Sequence, residues 1–299
     1  MNILQSIFTD YYELHPRPAV IENVNKMIHC GDPSYGGAMY GCPHCGNLKF
    51  VPFRCKSRFC PSCGNKYNQL RSFHMSCKLV SCVHRHCVFT IPAELRVYFL
   101  EDRTLLDCLF HSVRDVVLRM FSKMNKTENF TPGLICVLHT FGRDLKWNPH
   151  IHALISEGGA GNITPWRPVK HFDYNFLRNA FRKVLLEQLT SLIGPSFRKV
   201  KNEMYTRHED NKTVTETIPA LDFIQKLIVH IPEKHFKMLR YYGVYAKHHK
   251  QEKNLLVLEV YHKKRHKQRH GESNIRSFVM SFFISSLLYT ISDDLRNFL

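Results

Sequence analysis

The sequence predicts an α+β protein: a cysteine-rich, zinc-binding N-terminal domain followed by an antiparallel sheet flanked by helices. Three observations predict it. Two Cys-x2-Cys pairs, Cys42/Cys45 and Cys60/Cys63, lie close together near the N-terminus. Short, apolar, β-branched runs recur at His86–Ile91, Gly133–His139 and Pro149–Ile155. Around them, Leu95–Met124 carries Leu, Val, Phe and Met at helical spacing, and a further helix is expected over Asp173–Leu192.

Composition narrows the function. The chain has 299 residues, 44% hydrophobic and 22% charged, the profile of a folded protein. Lys and Arg number 42 against 25 Asp and Glu, a formal charge of +17. Such an excess favours a polyanionic partner, most simply nucleic acid, and argues against a small-molecule substrate. Met1–Asp10 carries no basic leader, and the longest apolar run, Ser277–Ile291, is short and interrupted by serines. It is expected to be a buried terminal helix rather than a membrane anchor, and the protein is expected to be cytoplasmic. The 11 cysteines are an odd count, and nine fall at or before Cys87. In a cytosolic chain this argues for metal rather than a disulfide framework.

The N-terminal elements follow from the cysteines. Each Cys-x2-Cys pair suits a tight knuckle, with Pro43, Gly46, Pro61 and Gly64 supplying turn chemistry. Two knuckles supply four thiolates for a tetrahedral zinc, here Cys42, Cys45, Cys60 and Cys63. Cys30 and Cys55 flank this set. They can complete a second site with Cys77, Cys82 or His44, serve as alternative ligands, or be plain buried thiols. A helix is expected from Asn65 to Leu79. Between Pro33 and Ala93 there is no Asp or Glu, while Lys49, Arg54, Lys56, Arg58, Lys66, Arg71, Lys78 and Arg85 are present. The first six are the candidate DNA-binding residues, a phosphate-reading surface beside structural zinc.

The sheet carries the second site. His150 and His152 are two apart on an expected strand, so both imidazoles point to one face. Side-by-side neutral imidazoles can ligate one divalent metal, and His139, ending the neighbouring strand, can lie close enough to be a third ligand.

The order of motifs resembles a known family. Cys-Gly-Asp-Pro-Ser-Tyr-Gly-Gly-Ala (30–38), Cys-Lys-Ser-Arg-Phe-Cys-Pro-Ser-Cys (55–63) and Phe-Thr-Ile-Pro (89–92) are followed by His-Thr-Phe-Gly-Arg-Asp-Leu (139–145). Asn-Pro-His-Ile-His-Ala-Leu (148–154) and His-Phe-Lys-Met-Leu-Arg-Tyr-Tyr-Gly-Val-Tyr-Ala (235–246) complete the set. Over roughly residues 5 to 250 this resembles the IS-ninety-one-like rolling-circle insertion-sequence transposases. These have an N-terminal zinc-binding region and a catalytic domain of the HUH class (histidine, hydrophobic residue, histidine). The resemblance implies that His150 and His152 are catalytic and hold Mg²⁺ or Mn²⁺ against the scissile phosphate. A tyrosine hydroxyl would attack single-stranded DNA at the ends of the element, leaving a 5′-phosphotyrosine.

The chain departs from that family at the nucleophile. Relatives carry one tyrosine, or a Tyr-x3-Tyr pair, on a helix downstream of the histidines. Here Lys201–Thr206 runs directly into Arg207–Val214, where several dozen residues are expected, and the join looks like an internal deletion. Tyr241 and Tyr245, four apart on an expected helix, are weak substitutes, and Tyr205 at the join a weaker one. No Cys-x2-Cys pair follows Cys136, and residues 271–299 match nothing in the family.

The expected organisation is a zinc-binding, DNA-docking domain at 1–80, an HUH-like domain at 84–246 truncated near 205–207, and a basic and apolar tail at 247–299. Further helices are expected at Leu221–His230 and from Pro232. The reading is a DNA-binding transposase of a rolling-circle element, decayed in this chain. The alternative is a catalytically inactive, zinc-dependent DNA-binding protein or regulator.

Overall fold

A computed structural model describes residues 17–80, 82–142, 146–161, 163–169, 171–206 and 229–246. The basic tail, the apolar run Ser277–Ile291 and nearly all of the helix expected at Leu221–His230 lie outside them. The chain divides into two compact units, one of Met1–Lys78, Thr217–Phe236 and Glu272–Leu299, the other of Leu79–Glu216 and Lys237–Gly271.

In the first unit, helix α1 (Pro18–Ile28) begins with proline, whose fixed φ and missing N–H suit a first turn. It buries Val20, Val24 and Met27 along one face. Asn23 anchors it, donating to the Ala19 carbonyl at 2.8 Å and accepting from the Ser57 hydroxyl at 2.9 Å. Arg17 donates to the Ile231 carbonyl at 2.9 Å and pairs with Glu233.

Strands β1 (Gly37–Gly41) and β2 (Leu48–Pro52) form a hairpin, paired from Gly37↔Pro52 at its base to Gly41↔Leu48 at its tip. Helix α2 (Pro61–Lys78) follows. It starts four residues before the expected Asn65, because Pro61 is itself a good first helical residue. Cys63 therefore sits in its first turn.

The second unit is a twisted antiparallel sheet. Strands β3 (His84–Phe89), β4 (Thr131–Phe141), β5 (Trp147–Ala160) and β7 (Leu239–Gly243) lie in the order β3-β5-β4-β7, and β6 (Arg167–Pro168) pairs with β5. Helix α3 (Ala93–Glu101) packs by β5, where Trp147 Nε1 donates to the Arg96 carbonyl at 3.0 Å. Helix α4 (Leu106–Met124) buries Leu106, Leu109, Phe110, Val113, Val116, Val117, Met120 and Phe121, a stripe at three-four spacing. Helix α5 (Tyr174–Ile193) is N-capped by Asp173 and turns Leu177, Phe181, Val184, Leu185 and Leu189 inward. Phe89 meets Phe181 edge-on, and Arg240 lies over the Phe110 ring. One face of the sheet is thereby closed by α4 and α5. Helix α6 (Arg198–Thr206) ends this run of described chain.

One expected helix is corrected. The segment from Pro232 turns and then enters strand β7, which adds to the open edge of β4 with Tyr241 opposite Ile135 and Leu239 opposite Val137. Arg-Tyr-Tyr-Gly suits an edge strand, since aromatic side chains pack across a pleat. Among the described residues no helix is long and apolar enough to cross a membrane.

Candidate functional site

Two clusters of metal-ligating side chains stand out, one in each unit: Cys30, Cys55, Cys60 and Cys63, and His139, His150 and His152. Within each cluster the ligand atoms all lie within 4.8 Å of one another.

The thiol cluster corrects the expected pairing. Cys60 and Cys63 meet Cys30 and Cys55, and no described ligand cluster includes Cys42 or Cys45. The hairpin is the reason. Cys42 and Cys45 sit at its tip, while Cys30 and Cys55 flank its base, where the Gly31 N–H bonds the Phe53 carbonyl at 3.2 Å. Five residues of strand separate tip from base, about 17 Å. The tip is a knuckle in its own right: Cys42 N–H donates to the Asn47 carbonyl and Gly46 N–H to the Cys42 carbonyl, each at 2.9 Å. N–H groups of Cys45 and His44 hold the Cys42 thiol below its ordinary pKa.

The four gathered sulfurs suit zinc. Cys30 and Cys63 Sγ are 3.6 Å apart, and sulfurs at about 2.3 Å from a tetrahedral zinc are ~3.8 Å apart. Burial pushes the Cys30 thiol up, but hydrogen bonds from Cys55, Cys63 and Cys60 outweigh it and bring it down to about 7. Burial raises Cys55 and Cys60, whose negative charge a cation would stabilise. Ser57 N–H donates to Cys55 Sγ at 3.4 Å. Between them, Lys56 has φ +54°, a left-handed conformation unusual for a residue with a Cβ, which turns the chain back toward Cys60.

The histidine cluster follows from strand register. His139 on β4 is directly opposite His150 on β5, and His152 is opposite Val137. Period-two alternation puts all three imidazoles on one face. Just beyond the His139↔His150 pair the register shifts at Asn148–Pro149, a bulge that accommodates proline and ends the regular ladder at the site. His150 Nδ1 donates to the Asn148 carbonyl at 2.6 Å, leaving its Nε2 lone pair free to coordinate. Nε2 of His150 and Nε2 of His152 are 3.0 Å apart. Two ligands about 2.1 Å from one octahedral centre are ~3.0 Å apart. His139 is 4% exposed, and among the described residues its Nε2 is buried without a hydrogen-bond partner.

All three rings are held neutral. Burial drives His139 well below the ordinary histidine pKa, and neighbouring His152, His150 and His86 push it further. Burial likewise lowers His150, and burial with His150 and His86 lowers His152 to about 3. Neutral imidazoles with converging lone pairs are a ligand set for a divalent cation.

The tyrosine candidates are placed apart. Tyr241 is on β7, on the histidine face, two strands from His152, or about 10 Å across the sheet. Tyr245 is half-buried: its hydroxyl donates to His84 Nε2 at 2.6 Å and accepts from Val80 N–H at 3.3 Å. The Tyr205 ring on α6 lies under Arg182 at 5.3 Å. Of the candidate DNA-binding residues, Lys49, Arg54, Lys56, Arg58 and Lys66 are exposed and Arg71 is half-buried. Arg58 stacks over Tyr67 at 5.1 Å.

Comparison with known proteins agrees with this arrangement. Residues 3–91 match a family model described as "Transposase zinc-binding domain", which contains all four gathered cysteines. Residues 133–214 and 196–253 match one described as "Putative transposase", which contains the three histidines. The "Transposase for insertion sequence element IS801" of Pseudomonas savastanoi pv. phaseolicola is 27% identical over 77% of this chain and 71% of its own length. The "Putative transposase y4qJ" of Sinorhizobium fredii is 26% identical over 54% of this chain and 41% of its own. With a cysteine cluster inside one matched region and a histidine cluster inside the other, in the order the motifs predict, the chain carries a transposase zinc-binding domain followed by a transposase domain, the arrangement of the IS91-type insertion-sequence transposases it resembles.

Proposed function

We propose that this chain is the DNA-binding and metal-binding core of a rolling-circle transposase, that it holds structural zinc at Cys30, Cys55, Cys60 and Cys63, and that it has lost the nucleophile needed to cut. The observation that carries the reading is the convergence of ring nitrogens of His139, His150 and His152 on one face of the sheet, with Nε2 of His150 and of His152 3.0 Å apart. Nitrogen donors suit Mn²⁺ better than Mg²⁺. When bound there, a divalent cation polarises the scissile phosphate and neutralises charge developing on it.

This chain's residues would do the rest. His150, locked by the Asn148 carbonyl, fixes one ligand direction. The exposed Lys49, Arg54, Lys56, Arg58 and Lys66 would follow the phosphates of single-stranded DNA, and Arg71 would assist from α2. What is missing among the described residues is a tyrosine hydroxyl at the histidine cluster. Tyr245 donates a hydrogen bond to His84, and among the described tyrosine candidates Tyr241 is the one on the metal-site face.

Two findings support loss of the nucleophile segment. The second family model matches in two overlapping stretches rather than one. The alignment with the IS801 transposase is 296 positions long, while 77% of 299 residues is about 230, so about 66 positions have no counterpart here. We read the protein as cytoplasmic. The test is a Mn²⁺ titration followed by electron paramagnetic resonance, run beside a DNA-binding assay at several salt concentrations. Saturable Mn²⁺ binding lost in His150→Ala, with DNA affinity falling steeply with salt, is the expected result. Mn²⁺ binding unaffected by His150→Ala contradicts it.

A further inference from the structure

We infer that His86 is a positioning residue for the histidine metal site: its Nε2 holds the Nδ1 proton of His152 and so aims His152 Nε2 at the point shared with His139 and His150. The inference rests on the metal reading above and adds a residue that no motif marks.

The geometry begins with register. On β3, His86 is opposite Leu154 and Val88 is opposite His152. His86 and His152 are therefore diagonal neighbours on one face, a relation that aromatic rings can bridge. His86 Nε2 is 2.8 Å from His152 Nδ1. The rings are nearly parallel, 21° between planes with centroids 4.9 Å apart.

The tautomer follows from the other nitrogen. His152 Nε2 is 3.0 Å from His150 Nε2, on the metal side. A neutral imidazole with its lone pair on Nε2 carries hydrogen on Nδ1. That hydrogen needs an acceptor, and His86 Nε2 is in place to be one. His150 solves the same problem with the Asn148 carbonyl at 2.6 Å. The two ligands thus have equivalent outer support, from the backbone in one case and from a side chain in the other. Outer partners of this kind fix ring orientation and raise ligand basicity. A role for His86 as a fourth ligand does not fit, because it meets His152 at the nitrogen turned away from the cluster, and the cluster of converging ligand atoms does not include it.

The test is Mn²⁺ affinity of the full-length, zinc-loaded protein by electron paramagnetic resonance, with circular dichroism to confirm folding. His86→Ala removes the acceptor facing His152 Nδ1 and is expected to weaken Mn²⁺ binding by about 10–100-fold. His86→Gln, whose side-chain carbonyl can accept from Nδ1–H, is expected to restore affinity to within a few-fold of wild type and to keep the wild-type Mn²⁺ signal. Unchanged affinity in His86→Ala overturns the inference while leaving the metal site standing. Equal losses in the Ala and Gln variants also overturn it, since they assign His86 a merely structural role. A wild-type chain that binds no Mn²⁺ overturns the metal reading and this inference together.

Discussion

Replacing Cys30 by serine removes a sulfur that pairwise reading of the knuckles leaves out, and the structure makes it decisive. Cys30 Sγ is 3.6 Å from Cys63 Sγ, and the N–H of Cys55 bonds it. Serine is nearly the same size, so little packing is disturbed and the effect isolates the ligand. Outer-shell partners of metal ligands already contribute up to about 100-fold in affinity, so loss of a ligand should cost at least that. A hundredfold weaker zinc affinity removes about 2.7 kcal/mol of zinc-linked stability at saturating metal. For a small domain that corresponds to a fall of about 10–20 °C in Tm. Cys42→Ser, at the hairpin tip, should leave zinc content and Tm unchanged. The assay is zinc content after chelator competition, with thermal unfolding followed in parallel. Zinc lost in Cys42→Ser and kept in Cys30→Ser would refute the reasoning and restore the paired knuckles.

Three further outcomes are expected. Lys56→Gly should hold stability within about 1 kcal/mol of wild type, on the stable side, because glycine adopts φ +54° without strain; it should also flatten the slope of log DNA affinity against log salt by about 0.7 if Lys56 contacts one phosphate of a single strand. A Cβ built on Gly133 would overlap the Tyr245 ring, so Gly133→Ala should cost about 1–3 kcal/mol in denaturant unfolding, and a neutral result would mean that this strand edge is looser than described. Burial holds His84 down to about 4, so the folded state resists a proton that the unfolded chain takes up below about 6.5. Stability should therefore be full above pH ~6.5 and decline toward pH ~4, by about 1.4 kcal/mol one unit below 6.5; His84→Gln, which can still accept from Tyr245, should remove that share in unfolding curves at the two pH values.

How much of this was legible depends on the range of the interaction. The β-branched runs at 86–91, 133–139 and 149–155 announced strands because local pattern and burial agree there. The His150/His152 pair was legible for the same reason, since period two alone puts both rings on one face. The α4 stripe was equally plain. Cys30 and Cys55 were only candidates, because spacing along the chain does not say which end of a hairpin meets a later helix. Tyr241 and Tyr245 sit at helical spacing, yet the open edge of β4 took the segment into β7, a tertiary override of local pattern. His86 carried no signal at all. Its role depends on a diagonal across β3 and β5, which exists only once the register is set.

The central claim is that the protein retains metal and DNA binding but lacks a nucleophile. A pool of labelled single-stranded DNA with randomised sequence, incubated with the protein and Mn²⁺ and then resolved under denaturing conditions, tests it most directly. The account predicts no denaturation-resistant protein–DNA adduct, alongside salt-dependent binding of the same DNA before denaturation, because covalent transfer needs a positioned hydroxyl. An adduct that disappears in Tyr241→Phe and in His150→Ala would contradict it, placing the nucleophile on β7.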